Sequence, residues 1–235
     1  DVLKNQHDEE LFDYYGQCQL LLVDAVSGKT VGLGKPGLYA SLRPAPDGEH
    51  LLVETIHHPY SYLTTHTRFP REVEIWNMKG TLVHKIASLP LADSVPIWGV
   101  PTGPRDFAWR ATEPATLIWA EALDGGNWKT QASARDRLMM LKAPFEAEPQ
   151  EILRLEDRFN GFQWGEKDGL ALFTEHNPIK HWQRTYAVSF NDLKAKPRLI
   201  WDMSTDERYH HPGHPVLRTL PNGFDVMQQE GNTIY

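Results

Sequence analysis

Residues able to do chemistry are plentiful in this chain but scattered. A serine nucleophile seated on a strand-to-helix elbow needs glycine two residues away on both sides, because that turn has no room for flanking side chains. Ser27, Ser41, Ser61, Ser88, Ser94, Ser133, Ser189 and Ser204 all lack that pair. No catalytic residue is therefore expected within the chain. Among the 11 histidines, His210, His211 and His214 cluster in "YHHPGHP", and His57 stands beside His58. His210 and His214 have the offset of a metal-binding helix, but Pro212 and Gly213 between them preclude a regular helix. The expectation is loop histidines, no metal and no cofactor. Asp24, Asp47, Glu54, Glu121, Glu175 and Glu230 recur near predicted strand ends. A pair of such carboxylates could hydrolyse a glycosidic bond, yet nothing in the sequence brings two of them together.

One loop offers a binding constellation. In "PYSYLTTHTRFP", Tyr60, Tyr62 and Phe69 are aromatics in loop context, and Arg68 is the strong anion donor among them. A planar guanidinium binds a carboxylate through two parallel hydrogen bonds. Tyr60, Tyr62 and Arg68 are therefore candidate contacts for an acidic peptide side chain or terminus. The plainer reading has the aromatics pinning the loop to its sheet and Arg68 pairing locally. Trp76, Trp109, Trp119 and Trp164 sit at strand positions and read as core. Trp128, in "DGGNWKT", is expected to be the exposed tryptophan.

The elements that must carry these residues repeat. "ASLRPAPDGEHLLVETI" (40–56), "DFAWRATEPATLIWAEAL" (106–123), "GFQWGEKDGLALFTEHN" (161–177) and "PVLRTLPNGFDVMQQEGN" (215–232) share one plan: a short segment, a polar turn, then an apolar strand. Arg43, Trp109, Trp164 and Arg218 are equivalent positions, recurring every 54 to 66 residues. The turns hold Asp47-Gly48, Glu113-Pro114, Asp168-Gly169 and Asn222-Gly223. Asp-Gly and Asn-Gly are the strongest short hairpin signals, because both residues accept positive φ. Between these copies lie "QLLLVDAVSGKTVGLG", "EVEIWNMKGTLVHKI", "DRLMMLKAPFEAEPQEILRL" and "TYAVSFNDLKAKPRLIWDM", each reading strand, turn, strand. Four short antiparallel strands per repeat of this length indicate an all-β fold, a β-propeller fragment of about four four-stranded blades. The blades form an open arc or an incomplete ring. The competing fold is an irregular β-sandwich whose turns are alike by coincidence.

Totals narrow the partners. The 235 residues carry 24 basic and 31 acidic side chains, a net charge of −7, without a cluster of lysines and arginines. That balance argues against nucleic acid. No apolar run approaches the roughly 18 residues of a membrane helix, so no membrane partner is expected. The single cysteine, Cys18, allows no internal disulfide. The chain opens without an initiator Met or a signal-peptide pattern and closes on "GNTIY", which reads as the start of a strand, so a segment of something longer is expected. Open blade edges would invite self-association.

Several motifs are long and unusual: "LFDYY", "PDGEHLLVETIHHPYSY", "RFPREVEIW", "LPLADSVPI", "WRATEPATLIWAEALDGG" and "SARDRLMML". They resemble the N-terminal propeller region of glutamyl endopeptidases, serine peptidases of the S9, prolyl oligopeptidase-like family found in chloroplasts and bacteria. The resemblance runs from Leu11 to Tyr235. It implies a two-part hydrolase in which a propeller, here residues 1–235, covers an α/β-hydrolase domain carrying Ser, Asp and His, and that domain lies outside this chain. It further implies a propeller that limits access, a peptide substrate cleaved after glutamate, and a location in bacterial cytoplasm or periplasm, or in the chloroplast stroma. The alternative is a free-standing propeller that binds proteins or peptides.

Overall fold

A computed structural model describes residues 2–167 and 169–235. Asp168, half of one expected turn pair, lies outside the described residues. The chain divides into two compact units, Asp1–Val95 and Pro96–Tyr235. The fold is all-β and of propeller type: antiparallel sheets of four and five strands in sequential order, each built by the strand-turn-strand pattern above.

The first unit holds β1 (Cys18–Val23), β2 (Thr30–Pro44), β3 (His50–Ile56), β4 (Arg71–Asn77) and β5 (Leu82–Leu89), joined in that order. Five strands replace the expected four because β2 does not stop. Its first half pairs with β1, from Thr30 opposite Val23 to Gly37 opposite Cys18. Its second half pairs with β3, from Leu38 opposite Ile56 to Pro44 opposite Leu51. Gly34, at φ +62°, lets β2 pass close over Trp76; a Cβ there would lie 2.5 Å from the indole ring. Leu33, Leu51, Val53 and Trp76 form the core beneath this crossing, with Tyr39 edge-on to Trp76 at 6.0 Å.

A helix, α1 (Gln6–Gly16), precedes the sheet and is an element the strand-period reading does not contain. Its signal is nevertheless local. The Asn5 side chain caps it by accepting from the Asp8 N–H at 3.0 Å, the Asp8 carboxylate accepts from the Lys4 N–H at 2.9 Å, and Asp8 and Glu9 place negative charge at the positive helix end.

The second unit contains two four-stranded sheets: β6 (Arg105–Trp109), β7 (Thr116–Ala122), β8 (Asp136–Lys142), β9 (Gln150–Leu155), then β10 (Arg158–Trp164), β11 (Leu170–Asn177), β12 (Trp182–Ser189), β13 (Arg198–Ser204). The fourth copy supplies the hairpin β14 (Leu217–Thr219) and β15 (Asp225–Met227), then a two-residue ladder, β16 (Gln229–Glu230) with β17 (Thr233–Ile234). The positions equated from the sequence keep their place in the hairpins, though the turns they flank differ in length. Arg43, Trp109, Trp164 and Arg218 each sit in the first strand of a hairpin, opposite Leu52, Leu117, Ala171 and Val226.

The hairpin turns differ from expectation in one respect. Only the glycine crosses to positive φ, at +68° for Gly48 and +83° for Gly223. Asp47 and Asn222 stay in ordinary backbone space and hold the turn with their side chains. Asp47 Oδ1 accepts from the Glu49 and His50 N–H groups at 2.8 and 3.2 Å, and Asn222 Oδ1 from the Phe224 N–H at 3.1 Å. These are Asx-stabilised turns closed by a left-handed glycine, the geometry of the longer hairpin loops.

Stacking of one sheet on the next is visible within the second unit. Ile118, Ala120, Leu138 and Met140 of the β6–β9 sheet share one buried cluster with Ala171, Phe173, Val188 and Trp164 of the β10–β13 sheet. A small antiparallel sheet cannot cover its own apolar face, and the adjoining sheet covers it. A second repeat accompanies this packing. Arg71 on β4, Arg137 on β8 and Arg184 on β12 occupy the same register position, opposite Ile56, Glu121 and Glu175. Each pairs with a glutamate on the preceding strand: Arg71 with Glu54 at 3.2 Å, Arg137 with Glu121 at 2.7 Å, Arg184 with Glu175 at 3.2 Å. Among the described residues, no helix is long and apolar enough to cross a membrane.

Candidate functional site

The loop from His57 to Pro70 joins β3 to β4 and carries Tyr60, Tyr62 and Arg68. Tyr60 is 8% exposed. Its ring stacks on Phe69 at 4.9 Å and on His58 at 3.9 Å, and meets the edge of Phe12 from α1 at 5.2 Å. Its phenol donates to Asp13 of α1, whose other oxygen lies 3.0 Å from His58 Nε2. Burial first, and the hydrogen bond to Asp13 second, push the phenol well above the usual tyrosine range. Tyr60 is thus a fixed, neutral donor that ties α1 to the loop.

Tyr62 projects outward, 46% exposed. A hydrogen bond to Glu9 raises its phenol. With Leu3, Lys4, Phe12, His66 and Phe69 it lines a cavity of about 920 Å³ beside α1. Arg68 is half-buried at the end of a single 3₁₀ turn, His66–Arg68. Its backbone bonds the Thr65 carbonyl and the Ala92 N–H, both at 3.0 Å. Its guanidinium makes no hydrogen bond or ion pair among the described residues, and it does not line the cavity. The structure therefore joins Tyr60 and Tyr62 to α1 and leaves Arg68 apart from them.

The corresponding loop of the next sheet, between β7 and β8, is held by charge. Trp128, expected outside, is 8% exposed. The guanidiniums of Arg135 and Arg158 lie over its ring at 4.2 and 5.3 Å, and cation–π attraction draws the indole inward. Arg158 grips Asp124 through one nitrogen to both oxygens, at 2.6 and 2.7 Å, and reaches Asp136 at 2.8 Å. Arg135 also binds Asp124, at 2.6 Å, and Arg105 binds Asp136. Asp136 additionally accepts from the Phe159 N–H at 2.8 Å, and Asp124 from the Gly126 N–H at 3.0 Å. Three guanidiniums and two carboxylates thus lock the starts of β6, β8 and β10 to the loop after β7. Buried charges persist when each is paired and hydrogen-bonded in this way.

The remaining candidates are dispersed. The recurrent carboxylates bind their own neighbours, not one another. Asp24 closes a turn on the Val26 and Ser27 N–H groups, and Glu230 accepts from the Tyr235 phenol at 2.8 Å. Burial pushes Glu175 up, opposed by the Asp157 N–H and by Arg184. His211 and His214 stand 5.4 Å apart, ring to ring. Among the described residues, no group of three or more His, Cys, Asp or Glu could hold a metal.

No protein-family model matches the chain. Curated relatives do. The chain is 37% identical, over 99% of its length, to a probable chloroplastic glutamyl endopeptidase of Oryza sativa subsp. japonica. It is 39% identical, over 97% of its length, to the probable chloroplastic glutamyl endopeptidase of Arabidopsis thaliana. The chain is a relative of the glutamyl endopeptidases. It spans about a quarter of the length of these proteins, 26% and 24% respectively. Among solved structures, an oligogalacturonate lyase from Vibrio parahaemolyticus matches 87% of this chain and 51% of its own, at a TM-score of 0.50 and 14% identity, a likeness of fold alone. The aromatic clamp and the ionic cluster described above both lie within the span shared with the glutamyl endopeptidases.

Proposed function

We propose that this chain is the non-catalytic propeller part of a serine peptidase of the S9, prolyl oligopeptidase-like family, gating access of peptides to a hydrolase domain elsewhere in the same polypeptide. The observation that carries the reading is the 37–39% identity to glutamyl endopeptidases across 97–99% of the chain. Sheets stacked side by side suit a gate, since a rigid wall admits flexible peptides and refuses folded proteins. Substrates cleaved after glutamate would present a carboxylate, and Arg68 has a guanidinium committed to no other group among the described residues. Tyr62, at the surface, and Tyr60, beneath it, share the loop but stand with α1, apart from Arg68.

Two experiments test this. Purified alone, residues 1–235 should hydrolyse no peptide, whereas the longer polypeptide containing them should cleave peptides and be silenced by serine-directed inhibitors. Hydrolysis by the short chain would overturn the assignment. In the longer polypeptide, Arg68→Ala should lower kcat/KM about 10- to 100-fold on glutamate substrates, the scale of a lost charge-assisted hydrogen bond, and leave uncharged substrates nearly unchanged. Equal small losses on both would remove Arg68 from the site.

A further inference from the structure

The two four-stranded sheets of the second unit are copies in register, so each position in one has a counterpart in the other. Trp109 opposite Leu117 corresponds to Trp164 opposite Ala171. On that count Ile118 and Met140, a cross-strand pair, correspond to Leu172 and Ala187, and Ala120 and Leu138 correspond to Thr174 and Thr185. In the first sheet these four positions are apolar and buried against the neighbouring sheet. In the second, Leu172 and Ala187 keep the apolar character and the other pair, Thr174 and Thr185, carries hydroxyls. Thr174 and Thr185 are hydrogen-bonded to each other at 2.9 Å, and Trp201 lies next in the row, opposite Thr185. Gln163 flanks the row opposite Leu172, and Gln183 flanks it opposite Met203. A stacking face gains nothing from hydroxyls and amides, whose burial costs free energy unless they find partners. A polar break in an otherwise apolar repeat marks a place where the local rule has yielded to another demand.

The loop carrying His211 and His214 lies over this face and encloses a cavity of about 300 Å³. That is the small end of the range for ligand pockets. The Gln163 and Gln183 amides and the Trp201 indole N–H make no protein hydrogen bond among the described residues. His211 Nδ1 accepts from the Gly213 N–H at 3.0 Å, so the neutral ring offers its other nitrogen as a donor. Among the described residues the lining contains no Asp, Glu, Lys or Arg. Donors and acceptors are therefore both present, a flat indole stands beside them, and no fixed charge selects an ion.

The geometry points to this cavity as a binding site for a small, uncharged, polyhydroxylated molecule of the monosaccharide or polyol class. Hydroxyls of such a ligand would meet the threonines and glutamine amides, and its apolar C–H face would lie on Trp201. The inference is independent of the peptidase reading.

The test is a titration of the 235-residue chain with glucose, galactose, glycerol and glucuronate, followed by tryptophan fluorescence and by saturation-transfer NMR. A neutral sugar should bind saturably with a Kd on the order of 1 mM, as a small ligand with few contacts does, and glucuronate should bind no better. Gln183→Ala, at a half-buried position, should weaken binding about three- to tenfold. Trp201→Phe should abolish most of the fluorescence response. Thr174→Val with Thr185→Val tests the rival use of this face, as a seat for another sheet. No saturable binding by the folded chain would overturn the proposal, as would binding untouched by Gln183→Ala and Trp201→Phe. It would also fall if the double valine variant were more stable and no sugar bound.

Discussion

The loop between β3 and β4 and the loop between β7 and β8 occupy the same place in two copies of one repeat, yet they are fixed by opposite means. The first is held by rings: Tyr60 between Phe69 and His58, with Phe12 of α1 against its edge. The second is held by ions: Arg105, Arg135 and Arg158 around Asp124 and Asp136, with Trp128 beneath two of the guanidiniums. Ring contacts are individually small and tolerant of geometry, so a partner can be half-exposed and still contribute. Buried ions are mutually dependent, because removing one leaves another unpaired in a low-dielectric interior. The same backbone position can thus be made forgiving or brittle by side-chain choice alone.

The sharpest way to break the comparison is Arg158→Ala. It strips Asp124 and Asp136 of a shared partner at once, and should cost about 3–5 kcal/mol, read as a lower urea midpoint with an unchanged slope. A cost under about 1 kcal/mol would show the cluster to be an ornament of the surface. The aromatic loop should respond to pH instead. The Tyr60 phenol keeps its proton in the folded chain to higher pH than in the unfolded chain, where it titrates near 10.0. The folded state then binds more protons above pH 10, so stability present below that value declines as pH rises through it. Tyr60→Phe should flatten this alkaline decline and cost about 1–2 kcal/mol at neutral pH, where it leaves Asp13 without its phenol donor. An unchanged alkaline slope would mean that Tyr60 is not the group responsible. The smallest effect belongs to the pair between His58 and Asp13, both substantially exposed at 56% and 44% of their side chains. His58→Gln should shift stability by no more than about 1 kcal/mol.

What could be read from the sequence, and what could not, follows the range of each signal. Strands and hairpins were legible because alternation and turn pairs such as Asn222-Gly223 act within a few residues. The stacking of sheets was legible because the repeat is in register. The ionic cluster was not, since Asp124 and Arg158 are 34 positions apart and no short pattern links them. Trp128 misled for the same reason: its glycine-rich surroundings look like an exposed tip, and the guanidiniums that draw it in come from elsewhere. The arginines at 71, 137 and 184 could have been found by extending the repeat alignment into the strand that follows each hairpin. The helix was signalled by Asn5, Asp8 and Glu9 but masked by an alternation-based reading. Tyr60, Tyr62 and Arg68 share a loop, and proximity along the chain did not bring their side chains into one constellation.

The continuous strand β2 carries one further consequence. Its two halves are zipped to different neighbours, so sliding it by a single residue would break both ladders together and swing Leu33 out of its seat beneath the sheet. The irregularity between Tyr39 and Ser41 adds a notch to the second ladder that only one alignment can fit. β2 thus behaves as a doubly keyed bolt: neither half can creep without the other, and the pairing of all five strands is chosen once.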